Sequence, residues 1–334
     1  MADDLLRIET TVIHRGTTSW TLRQVARRVS DDGLIAEAEL VFVSLDRAGR
    51  PTPLPEELAR VLGATRAGGP EMRRVRVPGA ELAVEVRGEG APVLFVHGFP
   101  VDHTVWRHQL ATLPRWQRIA PDLRGVGESS APADGYSIAR YADDLVACLD
   151  ALGAETAVFC GLSMGGFVVF DLLRRHPTRV RAAVLCGTRP LADSDEARRG
   201  RDELAALAME RGVEAVGERM LPRLLAATTQ AEQPEVVDHY REMVSRVSVA
   251  GMVGALQAMR DRPDSTALLK EIRVPTLVLV GSEDALSPVA VAESMAAAIP
   301  GAKLAVVPAA GHFAPLEQPL SASRALAEFL ERLG

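Results

Sequence analysis

The stretch Thr156-Ala157-Val158-Phe159-Cys160-Gly161-Leu162-Ser163-Met164-Gly165-Gly166 sets an apolar run directly before a G-x-S-x-G turn. A short apolar run ended by glycine reads as a buried strand, and the residues beyond it read as an apolar helix. Between them the chain must turn so sharply that only small residues fit at Gly161 and Gly165. Strand, tight turn and helix describe a nucleophile elbow, which exposes a serine hydroxyl at a helix N-terminus above a sheet. Ser163 is therefore the candidate nucleophile.

The chain around it has 334 residues, 47% of them hydrophobic and 25% charged, with a net charge of -6. That composition suits a water-soluble protein with a large core. The length predicts a domain with an appendage rather than one simple domain. The acidic balance and the lack of a basic stripe argue against nucleic acid as a partner. Cys148, Cys160 and Cys186 sit in apolar contexts without framework spacing, so reduced thiols and a cytoplasmic setting are expected. Met1-Ala2-Asp3-Asp4 lacks the basic start of a signal peptide, and no apolar run approaches membrane-spanning length.

Two unequal parts are predicted, residues 1–70 and 71–334. In the first, residues 34–43 alternate with a strand period, and Asp32-Gly33 separates them from residues 20–29, which reads as a hairpin. A second turn, Asp46-Arg47-Ala48-Gly49, leads to a short helix expected from Pro55 to Gly63. Gly68-Gly69-Pro70 reads as a linker. From there short apolar strands alternate with helical segments, the pattern of a parallel α/β sheet. Strands are expected at 82–86, 93–96, 117–120, 157–160, 182–186, 276–280 and 304–307. Residues 189–268 carry no strand pattern and are predicted to form a helical lid over the strand ends.

A serine hydroxyl is a weak nucleophile and needs a base within hydrogen-bond reach, itself oriented by an acid. His312 is the candidate base, on a loop after the strand at 304–307. Asp284 is the candidate acid, on the loop after the preceding strand, with Glu283 as its competitor. The order Ser163, Asp284, His312 is that of the α/β-hydrolase fold. The oxyanion donors are expected to be the backbone N–H groups of Met164, which follows the nucleophile, and Phe99, in His97-Gly98-Phe99-Pro100. His97 lies too near its strand to be the base and is read as holding that loop in shape.

Residues 73–334 resemble a serine α/β-hydrolase of the esterase, enol-lactonase and perhydrolase group. The matching motifs are His97-Gly98-Phe99-Pro100, Asp122-Leu123-Arg124-Gly125-Val126-Gly127-Glu128-Ser129, Gly161-Leu162-Ser163-Met164-Gly165-Gly166, Gly281-Ser282-Glu283-Asp284 and Gly311-His312. The resemblance implies an α/β fold with a mostly parallel sheet and a helical lid. Residues 8–62 resemble the C-terminal half of a hotdog-fold acyl-CoA thioesterase, through Gly33-Leu34-Ile35-Ala36-Glu37-Ala38-Glu39, Val43-Ser44-Leu45-Asp46 and Gly49-Arg50-Pro51-Thr52-Pro53-Leu54-Pro55. The half in which such enzymes carry their catalytic acid has no counterpart. A structural or homo-oligomerising role is expected of this segment.

The expected activity is hydrolysis of small to medium, mainly apolar carboxylic esters through an acyl-enzyme. Lactone opening and perhydrolysis by the same triad are the alternatives, and a non-catalytic small-molecule receptor is the reading of another class. Trp106 and Phe313 are expected to line the substrate pocket. No arginine pair stands out for a dicarboxylate, although Arg189 and the arginines of the lid keep the lactonase reading open. Serine, not aspartate, at position 163 argues against a dehalogenase or epoxide hydrolase. No paired His or Cys spacing suggests a metal, and Gly161 to Gly166 lacks the lysine and glycine spacing of a nucleotide loop. No cofactor is expected.

Overall fold

A computed structural model describes residues 6–15, 19–28, 34–44, 52, 70–113 and 115–333. The chain divides into two units, Met1–Pro70 and Glu71–Gly334. In the first, β1 (Leu6–Arg15), β2 (Ser19–Arg28) and β3 (Leu34–Val43) form an antiparallel sheet in that order. Trp20 faces Phe42 across β2 and β3, and their rings stack with centroids 5.3 Å apart. Such cross-strand aromatic pairs fix register. The hairpin pairing expected there is present. The turns at 32–33 and 46–49 and the helix expected at 55–63 lie outside the described residues.

The second unit is built on an eight-stranded sheet in the order β11-β10-β9-β8-β6-β7-β5-β4. Its strands are β4 (Glu71–Val77), β5 (Ala80–Arg87), β6 (Ala91–Val96), β7 (Trp116–Pro121), β8 (Ala157–Leu162), β9 (Val180–Cys186), β10 (Thr276–Gly281) and β11 (Lys303–Val307). All neighbours from β7 to β11 pair in parallel, and β5 runs against both β4 and β7. β8 and β10 are buried along their whole length. Strands covered on both faces read as unbroken apolar runs, which is why they were legible in the sequence.

β6 lies between β7 and β8, so connections leave it toward both sides of the sheet. Such a switch point opens a crevice at the C-terminal strand ends. Five helices, Asp195–Arg211, Val213–Leu224, Ala227–Glu232, Pro234–Ser245 and Val249–Arg260, are inserted between β9 and β10. Among the described residues no helix is long and apolar enough to cross a membrane.

Candidate active site

Ser163 caps the helix Met164–Arg175 with φ 53° and ψ -110°. A non-glycine residue held there costs about 1–3 kcal/mol and persists only where its surroundings over-determine it. Here the turn is clamped on both sides. Ser163 N–H donates to the Cys186 carbonyl of β9 at 2.8 Å, and the Thr188 hydroxyl donates to the Ser163 carbonyl at 2.9 Å. A Cβ on Gly161 would collide with the Gly165 carbonyl, and one on Gly165 with that of Val96. The helix can therefore start this close to the strands only with glycine at both positions.

The pairing of β10 with β11 brings the ends Gly281 and Val307 side by side, and the loops that follow carry Asp284 and His312. A Cβ on Gly281 would strike the Ala310 and Gly311 carbonyls, so glycine lets the two loops touch. The His312 ring is buried, with Nε2 2.8 Å from Ser163 Oγ and Nδ1 2.9 Å from Asp284 Oδ2. Asp284 Oδ1 also accepts from the N–H groups of Leu286 and Ser287, each at 2.8 Å. A carboxylate fixed this way holds the Nδ1–H tautomer and leaves Nε2 to accept the serine proton. Glu283, the competing acid, is exposed.

Val96 of β6 stands opposite Gly161 of β8, which sets the loop after β6 beside Ser163. A Cβ on Gly98 would lie 3.2 Å from Ser163 Cβ. The Met164 N–H is the first of the helix's unsatisfied donors. Among the described residues neither it nor the Phe99 N–H has a hydrogen-bond partner. His97 accepts from Leu123 N–H at Nε2 (3.0 Å) and reaches the Gly98 carbonyl through Nδ1 (2.8 Å). Both nitrogens are thus committed to the loop, and burial pushes its pKa down.

A cavity of about 590 Å³ opens on Ser163 and His312. Phe99, Phe167, Leu204, Met220 and Met259 line it, together with five arginines of the segment after β9. Two expectations need correction. Trp106 ends the turn His103–Trp106 and is buried, with its ring 5.2 Å from that of Phe95, and does not line the cavity. Phe313 is also buried in the core, between the rings of Tyr240 and His312, and does not line it. The wall also carries five arginines, Arg189 among them, more charge than the mainly apolar esters expected as substrates would require.

Two supporting residues went unread in the sequence, Thr188 and Glu317. Buried Glu317 accepts from Ala226 N–H (2.7 Å), the Thr229 hydroxyl (2.8 Å) and Phe313 N–H (3.1 Å). Local sequence gives no signal for these roles, because Thr188 acts on Ser163, 25 residues away, and Glu317 on Thr229 and Ala226, 88 and 91 residues away.

Among the described residues one group is spaced to hold a metal ion, the buried Asp102, His103 and Asp122. Its donors are already committed. Asp122 accepts from His103 Nδ1 at 2.6 Å, Asp102 pairs with Arg246 at 2.6 Å, and His103 Nε2 lies 3.3 Å from Glu85. Burial opposes charge on His103, but Asp122 and Glu85 outweigh it and push its pKa up to about 10. The three side chains thus hold one another, with Glu85 and Arg246, in a buried ion cluster.

Residues 91–319 match the alpha/beta hydrolase fold family, and the chain belongs to it. It is similar to a thermophilic esterase from Thermogutta terrifontis, solved with malate bound, at 40% identity and a TM-score of 0.76 over 79% of this chain and 99% of that one. An enol-lactonase from Burkholderia xenovorans LB400 is 28% identical with a TM-score of 0.73, over 78% of this chain and all of that one. Among curated relatives, 3-oxoadipate enol-lactonase 2 of Acinetobacter baylyi is 27% identical over 72% of this chain and 88% of its own.

Proposed function

We propose that the protein is a serine hydrolase of carboxylic esters, working through an acyl-enzyme on Ser163. The observation that carries this reading is the unbroken hydrogen-bonded line from Ser163 Oγ through His312 to Asp284 at the mouth of a cavity. Ser163 Oγ attacks the ester carbonyl as His312 Nε2 takes its proton. Asp284 stays ionised and stabilises the imidazolium. The Phe99 and Met164 N–H groups hold the oxyanion, a role in which losing one donor typically costs about 10²–10³ in rate. His312 then protonates the departing alcohol, and a water it activates releases the acid.

Lactone opening is the second reading, favoured by the enol-lactonase likeness and by the basic cavity wall. There the alkoxide stays tethered to the acyl group, and the same residues act in the same order. The N-terminal unit we read as an oligomerising appendage. Edge strand β3 exposes Leu40, Val41, Phe42 and Val43, and such edges favour pairing with another chain.

The mechanism is tested by labelling with a fluorophosphonate and assaying p-nitrophenyl esters of increasing acyl length. A single adduct on Ser163 and turnover that disappears in Ser163→Ala are expected. An unlabelled Ser163, or full turnover in the variant, rejects the mechanism. For the appendage, light scattering on Val41→Lys/Val43→Lys should give a smaller mass than the native chain, and an equal mass rejects pairing through β3.

A further inference from the structure

We infer that the substrate carries a carboxylate, bound by Arg189 and Arg223 on the wall of the cavity that opens on Ser163. The inference rests on the reading of Ser163 as the nucleophile and specifies what that site accepts.

The wall carries Arg189, Arg199, Arg201, Arg219 and Arg223 against only Glu196 and Glu203. The whole protein is acidic, at -6, so this concentration of positive charge runs against its overall balance. Charges of one sign in a cleft with low-dielectric walls focus their field on a ligand of the other.

Local partners leave that charge unneutralised. Buried Asp193 is shared by three guanidinium groups, with Arg262 at 2.8 Å, Arg201 at 3.1 Å and Arg189 at 3.3 Å. One carboxylate cannot balance three cations, and Arg189 holds the longest of the contacts. Arg219 is spent on Glu203 at 3.3 Å. Arg223 has neither an ion pair nor a hydrogen bond among the described residues. Burial lowers the Arg201 pKa, and the neighbouring charges of Arg189 and Arg223 lower it further. An anion among them relieves that repulsion.

Position singles out Arg189 and Arg223 from the rest. Arg189 follows Thr188, whose hydroxyl holds the Ser163 carbonyl. Arg223 precedes Leu224, whose carbonyl receives the His312 N–H at 3.0 Å. Each cation is therefore carried one residue from a group that holds the reaction centre. Guanidinium is suited to this task because its planar fork meets a carboxylate with two donors.

The test compares the mono-p-nitrophenyl ester of glutarate with p-nitrophenyl pentanoate, acyl chains of equal length that differ in a terminal carboxylate. The native enzyme should prefer the glutarate ester by about tenfold or more in kcat/KM, chiefly through KM, as expected of a charge-assisted contact. Arg223→Gln and Arg189→Gln should each cut that preference about tenfold, and high salt should weaken it. A pentanoate ester turned over as well as its partner overturns the inference, as does a preference that survives both substitutions. If neither ester is hydrolysed, calorimetry with glutarate on Ser163→Ala separates the two readings. Binding that Arg223→Gln removes upholds the anion site while the nucleophile reading fails. No binding overturns the anion site as well.

Discussion

The backbone N–H of His312 donates to the carbonyl of Leu224 at 3.0 Å, so the candidate base hangs from the helical insert as well as from the sheet. The contact is close because residue 311 is glycine, where a Cβ would stand 2.5 Å from Ala226 N. Glu317 closes the joint from below through Ala226, Thr229 and Phe313. Replacing it by alanine strands two buried N–H donors, each worth about 1–3 kcal/mol when left unsatisfied. Glu317→Ala should lose about 2–4 kcal/mol in denaturant unfolding and lower kcat more than it raises KM. An unchanged midpoint with native kcat would show that the joint is ornamental.

Ser163→Ala and Ser163→Gly should both lose ester turnover by about 10³-fold or more, since removing the nucleophile disables the whole constellation. Their stabilities should differ. Glycine adopts the backbone at φ 53° without strain, whereas alanine keeps it. The glycine variant should be more stable by about 1 kcal/mol in paired melts, and equal melting would mean that the elbow stores no strain.

His103 lies between Asp122 and Glu85, and its pKa of about 10 exceeds the ordinary value of 6.5. A group whose folded pKa is raised adds stability that is complete below its unfolded pKa. That contribution declines as pH rises from 6.5 and is gone above about 10. Denaturation midpoints measured across this window should fall more steeply for the native protein than for His103→Gln. Parallel slopes would refute the charged state assigned to His103.

Asp193 bears the charge of Arg189, Arg201 and Arg262, and Arg262 lies 4.0 Å over the ring of the cavity residue Phe167. Breaking a buried pair on one side leaves charge uncompensated, typically at about 3–5 kcal/mol. Asp193→Asn should lose that much in unfolding experiments, and added chloride or glutarate should restore part of it. A loss under about 1 kcal/mol would place the arginines in water rather than against the carboxylate.

Much of this fold lies open to sequence reading because buried parallel strands leave unbroken apolar runs, and all seven expected strands are present within a few residues. β4 escaped because Glu-Met-Arg-Arg-Val-Arg-Val is an edge strand with only Val75 and Val77 buried. The loops bearing Ser163, Asp284 and His312 were legible because glycine marks each close approach, and the structure brings the three side chains into one line. Side-chain direction was not. Trp106 and Phe313 are near the motifs along the chain yet turn into the core. The basic wall depends on how the loop bearing Arg189 and the helices Asp195–Arg211 and Val213–Leu224 come together, which no local pattern encodes.

The joint between Leu224 and His312 bears on how such proteins can change. The insert is not a shutter hung over finished machinery, because part of the machinery is assembled on it. Exchanging it for that of a relative would alter which molecules enter and would also unfasten His312 from one of its two mounts. Transplants should therefore succeed only when the segment from Leu224 to Thr229 travels together with the loop around His312 and Glu317.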